Sequence, residues 1–212
     1  KLDAEMEKIS DSMNVKLDAD LVKNIINKVN AEIAIETPVG NLKLDKKALE
    51  AIRKQIGDAD QLTFKLNVEE VRDYSKIIGD TGYVISLELL AGKKKIKDFG
   101  DGKAEIKLEI TNNLLGRELV ALYIGEKGKI EKFDGKTVIE KFTDENGKES
   151  EVKYFTFETS HFSVYALAEK AEVDAYEKTQ KTITGVKKTS VKLTAASTAK
   201  KKAKLTWKKS KG

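Results

Sequence analysis

One histidine, His161, is the first residue to examine for chemistry in this 212-residue chain. Imidazole titrates near neutral pH and serves as a general base or a metal ligand. A serine triad needs a Ser, this His and an acid in contact. No Gly-x-Ser-x-Gly elbow occurs, and Ser163 lies two residues along what reads as a strand. Side chains two apart on a strand share a face without pointing at each other. The triplet His161-Phe162-Ser163 offers a second chemistry, self-cleavage. In a strained peptide the Ser163 hydroxyl would attack the Phe162 carbonyl with His161 as base, and water would resolve the ester. The competing reading is structural: His161 and Ser163 hydrogen-bond to a neighbouring strand and hold the last strand in register. We take the structural reading, so no catalytic residue is expected.

Metal and cofactor chemistry is sparse. The chain has no cysteine, which removes disulfides, thiolate metal sites and cysteine nucleophiles together. Asp144 and Asn146, within Asp144-Glu145-Asn146-Gly147, resemble part of a calcium loop, and Asp98 and Asp101 place two carboxylates near a turn. A dedicated calcium site uses six or more spaced oxygen ligands, and Asp and Asn favour turns for backbone reasons alone. No metal is expected. Gly100-Asp101-Gly102-Lys103 is too short to wrap a triphosphate and reads as a turn, so no cofactor is expected either.

Charge divides the chain. From Lys178 to Gly212 there are twelve Lys and no Asp or Glu, which leaves 28 basic and 35 acidic residues to the first 177. A boundary near 170–185 follows from this shift. The Lys-rich end has no Arg to read base edges and few aromatics to stack on bases. Nucleic acid is therefore not an expected partner, and the reading taken is a solvated face, since Lys on the solvent side of short strands also blocks edge aggregation. No apolar run approaches the length of a membrane span, so no membrane insertion is expected. The chain opens Lys1-Leu2-Asp3 without an initiator Met, which reads as a start inside a longer protein.

The elements that must position these residues are mostly strands. Two helices come first, near 18–30 and 45–56. In the first, Leu21, Val22, Ile25, Ile26 and Val29 share a face behind an Asp18 cap; in the second, Leu49, Ile52 and Ile56 follow an Asp45 cap and end at Gly57. The segments align at an offset of 27, as either a small strand–helix duplication or a chance match of simple sequence. Period-2 runs follow at Ile33–Ile35, Leu42–Leu44, Leu62–Val68, Tyr83–Leu89 and Ile106–Ile110, while Leu119–Ile124 is apolar throughout and reads as covered on both faces. Asp134-Gly135 and Asn146-Gly147 are hairpin signals. The stretch Val152–Ala168 reads as one last strand whose apolar parity flips, which requires a bulge or bend in Glu158–His161.

Four ordered stretches carry a resemblance. Glu36-Thr37-Pro38-Val39-Gly40, Leu44–Ile52, Ile96-Lys97-Asp98-Phe99-Gly100 and Thr159-Ser160-His161-Phe162-Ser163-Val164-Tyr165-Ala166 resemble a Gram-positive cell-surface, S-layer-associated module. That module ends in a Thr-x-His-Phe-Ser-x-Tyr-Ala strand, and the likeness covers roughly residues 15–170. The chain departs from it in lacking a Pro-rich stretch ahead of Leu119. Lys187–Gly212, mostly through Leu205-Thr206-Trp207-Lys208, is similar to the opening strands of a fibronectin type III domain, with the single Trp on the second strand. His161-Phe162-Ser163 also matches the scission triplet of self-cleaving eukaryotic domains.

Together these readings give a mainly β (α+β) fold: an antiparallel β-sandwich with two packed helices over 1–170, a linker at 171–188, and a truncated fibronectin-like start at 189–212. The resemblance implies an extracellular, cell-wall-associated structural or adhesion module whose partners are neighbouring domains and anionic wall polymers or glycans. The alternative is a carbohydrate- or wall-polymer-binding module, for which Tyr74, Tyr123 and Tyr154 are the candidate exposed aromatics. Self-cleavage at Phe162–Ser163 comes third.

Overall fold

The computed structural model describes residues 5–9, 12–28, 32–37, 39–125, 128–143, 147–187, 193–199 and 202–207. It separates into two compact units, Lys1–Glu172 and Val173–Gly212. The first begins with β1 (Glu5–Ile9), β2 (Ser12–Asp18), α1 (Ala19–Lys28), β3 (Ile33–Thr37), β4 (Gly40–Leu44), α2 (Lys46–Ile56) and β5 (Gln61–Glu69). A short helix, α3 (Ser75–Ile78), leads to β6 (Tyr83–Ala91), β7 (Lys94–Ile96), β8 (Ala104–Glu109) and β9 (Leu119–Ile124). The unit closes with β10 (Ile130–Phe133), β11 (Gly135–Thr143), β12 (Glu149–Thr159) and β13 (Val164–Glu169), ahead of α4 (Lys170–Lys187).

Alternation decides the layers. An eight-stranded antiparallel sheet runs β1-β2-β5-β6-β13-β9-β10, with β7 also paired to β6; a five-stranded sheet runs β11-β12-β8-β4-β3. Phe64, Leu66, Ile85, Leu87 and Tyr165 of the first sheet share one core with Leu42, Ile106, Leu108, Phe155 and Phe157 of the second. The molecule is therefore the expected mainly antiparallel β-sandwich with packed helices. β9 is covered on both faces, as its continuous apolarity predicts. Ala121 belongs to the core between the sheets, while Leu122 is fully buried on the opposite face. On that same outer side, Ile77 and Ile78 of α3 are buried and α3 packs on β13.

The two segments that align at an offset of 27 fold alike. β2 runs into α1 and β4 into α2, and the caps match: Asp18 Oδ1 accepts the Leu21 N–H and Asp45 Oδ1 the Ala48 N–H, both at 2.7 Å. Each cap satisfies an N–H that the first helical turn leaves without a partner. Val22, Leu49, Ile52 and Ile56 turn inward to the sandwich core, and α1 and α2 pack on each other. Gly57 ends α2 with φ of +58°, a conformation that a Cβ would strain. Gly102 lies so close to α2 that a Cβ there would collide with the Ala48 backbone.

Three expectations need correction. Asp134-Gly135 is not a hairpin turn: β10 pairs with β9 and β11 with β12, in different sheets. Val152–Ala168 is not one strand with a bulge. β12 ends at Thr159 in the five-stranded sheet and β13 starts at Val164 in the eight-stranded one. The parity flip marks a crossing between layers, because facing sheets bury opposite sides of a continuing chain. The stretch 171–188, read as a linker, is helical as far as Lys187. Ala171, Glu172, Ala175, Glu177, Lys178, Gln180 and Lys181 are good helix formers, but they sit among too few apolar residues for a periodic signal. In the second unit, β14 (Leu193–Ala199) and β15 (Lys202–Trp207) pair as an antiparallel hairpin with Leu193 opposite Trp207.

The caps give a direct test. Asp45→Ala should lower the unfolding free energy by about 1 kcal/mol, read as a shift in urea midpoint at unchanged slope, with Asp18→Ala costing a similar amount. A loss well below half of that at both sites would show that the caps do not hold the helices.

Candidate functional site

The lone histidine sits at the crossing between the layers. Only Ser160, His161, Phe162 and Ser163 separate β12 from β13. Such a short connection cannot sag into solvent, and its backbone groups find partners on both sides. The Phe99 N–H donates to the Ser160 carbonyl at 2.8 Å and the Leu87 N–H to the Ser163 carbonyl at 2.9 Å. His161 itself forms an isolated antiparallel bridge with Asp98. Phe162 plunges inward, 3% exposed, and meets the rings of Phe99 and Phe64 edge-on at centroid distances of 4.9 and 5.7 Å.

Tyr165, one residue into β13, ties the crossing together. Its hydroxyl donates to the His161 carbonyl, lies 2.9 Å from Thr159 Oγ1 and lies 3.1 Å from His161 Nδ1. A phenol has one proton to give. With that proton on the carbonyl, the contact to the ring is one in which the imidazole Nδ1–H donates to the phenol oxygen. A tyrosine bonding back to backbone a few residues upstream is a recognised fastener of Greek-key sandwiches. The His161 ring stacks on Tyr165 at 5.9 Å and 21°, and Tyr123 meets it edge-on at 5.1 Å. Burial pushes the Tyr165 phenol well above its ordinary range, with the nearby Tyr123 and Glu131 adding to the rise against the Thr159 hydrogen bond. Tyr83 shows the same effect more strongly: burial first, then the Glu109 charge, while its hydroxyl donates to the Glu109 carbonyl at 2.7 Å.

The geometry thus brings His161 together with Thr159, Tyr165 and Tyr123, and does not bring it to Ser163. Among the described residues no hydrogen bond joins the His161 ring to the Ser163 side chain. The candidate calcium ligands Asp144 and Asn146 lie outside the described residues. Among those described, no three acidic, His or Cys side chains gather where a metal ion would fit. Asp98 is committed to the crossing: its carboxylate accepts the Gly100 N–H at 3.2 Å and its carbonyl accepts from Gln55 Nε2 at 2.8 Å.

The three candidate tyrosines do not form one aromatic surface. Tyr123 lies opposite Tyr165 in the eight-stranded sheet. Tyr154 is on the outer face of the five-stranded sheet, with the Lys107 ammonium 4.7 Å from its ring centre and Lys107 also paired to Glu140. Tyr74 follows the Val71–Asp73 turn ahead of α3. Two clefts lie elsewhere. One of about 400 Å³ between α2 and residues 98–102 mixes Lys47 and Lys54 with Glu50, Asp98 and Asp101. The other, about 300 Å³, opens between the sheets at Val39, Val68 and Tyr83. Neither includes His161.

The residues that sequence reasoning missed are Thr159 and Tyr165. The available signal was a Tyr four positions after the lone His, straddling a parity flip. Tyr165→Phe should cost about 1–3 kcal/mol, since it removes the bonds of a buried hydroxyl and leaves their partners unmatched. Both raised phenols also set an alkaline limit. A raised folded-state value favours the neutral form, so the stability it contributes is complete below the ordinary phenol value of about 10 and falls as pH rises beyond it. Denaturant midpoints should therefore hold steady from neutral pH to about 10 and drop above it. Phenolate absorbance should show two of the six tyrosines silent until the chain unfolds. Free titration of all six in the folded protein would contradict this burial. Set beside known proteins, the chain matches no family model, no curated protein and no solved structure.

Proposed function

We propose that this chain is a non-catalytic structural and adhesion module of a bacterial cell-surface protein, working outside the cell in association with the wall. The observation that supports it most is the commitment of the one imidazole. His161 uses its Nδ1, its carbonyl and its ring face within the crossing between the sheets. A base needs a free lone pair within reach of a nucleophile or a substrate proton, and the hydroxyl that meets this ring, that of Tyr165, is itself hydrogen-bonded within the crossing. Phe162 and Tyr165 of the same stretch belong to the core. A sandwich with a filled interior and both sheets tied at a four-residue crossing suits a load-bearing spacer. The fibronectin-like reading of Lys187–Gly212 fits the same architecture, with neighbouring domains as the first partners.

One observation favours a second reading, contact with anionic wall polymers or glycans. The unit Val173–Gly212 carries twelve Lys against Asp174 and Glu177. Lysines without arginine act as point charges and suit a flexible phosphate polymer more than a base-reading role. On this reading nucleic acid is not a partner. The outward Tyr154 is an aromatic placed for a glycan, yet Lys107 and Glu140 already occupy its surroundings.

Self-cleavage at Phe162–Ser163 is the third reading and the most easily removed. After long incubation of purified protein, the mass spectrum should contain one intact species of 23.6 kDa. Fragments divided between Phe162 and Ser163 would replace the structural reading with a catalytic one. For location, labelling of intact cells with antibody to the folded module should be positive, and a purely cytosolic signal would refute the surface assignment. A phosphate polymer should bind the whole chain with an affinity that falls steeply as salt rises. Binding that ignores salt would remove the lysine contribution.

A further inference from the structure

β11 ends the five-stranded sheet: among the described residues β12 is its only hydrogen-bonded strand neighbour, which leaves its other edge open there. At nine residues it is also long for an edge strand, against five for β3 and four for β10. An open edge offers a row of backbone donors and acceptors to another strand unless something blunts it. β11 contains no Pro, and it leaves Ile139 at 53% and Phe142 at 45% exposure, the most exposed large apolar side chains among those described in the two sheets.

The charges along the strand say what would cover it. Lys136, Val138 and Glu140 share the outer face of the sheet, since they lie opposite Thr156, Tyr154 and Val152 of β12. Glu140 pairs with Lys107, Lys141 pairs with Glu151 at 3.4 Å, and Lys136 has no ionic partner among the described residues. Lys136 and Glu140 are equidistant from Val138. An antiparallel copy of β11 with its twofold axis at Val138 therefore sets Lys136 of each chain opposite Glu140 of the other, and both pairs form at once. On the other face the same register sets Ile139 opposite Thr137, with the two Ile139 side chains diagonal neighbours across the axis. Directly opposed charges and apolar diagonals are the contacts that stabilise an antiparallel pair. Moving the axis by one residue to Ile139 would oppose Lys136 to Phe142 and Glu140 to Val138, which loses both ion pairs.

We infer that β11 is a self-association edge, through which two copies of this chain join their five-stranded sheets into one continuous ten-stranded sheet by antiparallel β11–β11 pairing centred on Val138. A twofold interface of this kind is closed and stops at the dimer. An unrelated extended strand would need to supply the Lys/Glu spacing that a second copy already has.

Sedimentation of the full chain over a rising concentration series tests this. The wild-type mass should double from 23.6 kDa. Lys136→Glu, which places like charges opposite each other twice, should weaken the dimer by about tenfold or more. Glu140→Lys should weaken it similarly, and an equimolar mixture of the two variants should recover dimers, because each then supplies the charge the other needs. If Glu140→Lys fails to fold through loss of the Lys107 pair, the double variant Lys136→Glu/Glu140→Lys should not be used in its place; Lys136→Glu alone then decides, judged beside an unchanged melting curve. A wild type that stays monomeric to about millimolar concentration, the weak end of measurable association, overturns the inference. So does a dimer indifferent to Lys136→Glu, or one replaced by binding of an unrelated extended peptide.

Discussion

Thirteen strands in two layers must be joined without leaving backbone groups dry and unpaired, and the passage from β12 to β13 is a joint of this kind at the centre of the larger sheet. Only four residues carry the chain from one sheet to the other. Every group there has to bond to something, because a buried N–H or carbonyl without a partner costs roughly as much as several ordinary contacts provide. The Tyr165 hydroxyl supplies the fastening: it reaches back to the His161 carbonyl, the imidazole and Thr159 within a single turn of chain. Phe162 anchors the same turn from within the core, between Phe99 and Phe64. Because β13 sits between β6 and β9, an error in this crossing would displace the centre of the larger sheet.

That role changes how the histidine reads. A lone imidazole in a sequence invites a catalytic interpretation, since it is the side chain most able to move protons at neutral pH. Packed against two tyrosines and hydrogen-bonded through Nδ1, it behaves as a polar spacer with aromatic faces. The neighbouring Asp98 is likewise absorbed, holding Gly100 with its carboxylate and Gln55 with its carbonyl. Polar residues that look convergent in sequence are here distributed around one backbone problem, and their chemistry goes into hydrogen bonds.

Charge follows a different logic from the core. The ion pairs described are at the surface, where each contributes little, and they decorate strands whose stability comes from the apolar layer between the sheets. What the charges do is choose partners. They keep most of the sheet surface wet, leave β11 with a self-complementary pattern, and concentrate lysine in the second unit. The proposed affinity for an anionic polymer and the proposed pairing at one edge can coexist, since they draw on different parts of the chain.

Much of the fold is legible in the sequence because its causes are local. Period-2 apolar runs specify strands with one buried face, Asp18 and Asp45 announce helices through their caps, and the unbroken apolarity of Leu119–Ile124 betrays a strand covered on both sides. The helical nature of 171–187 stayed hidden, since it rests on propensity without an apolar stripe. The parity flip near His161 is visible in one dimension, but a bulge within a sheet and a step between sheets produce the same flip. Only the tertiary structure separates them, because the difference lies in which strands stand beside β12 and β13. It also alone decides that the imidazole faces Tyr165 and Tyr123 and not Ser163, since side-chain partners across a crossing are set by packing between layers that are distant in sequence. Local patterning thus determines what each segment becomes, and the contacts between layers determine what its polar residues are left free to do.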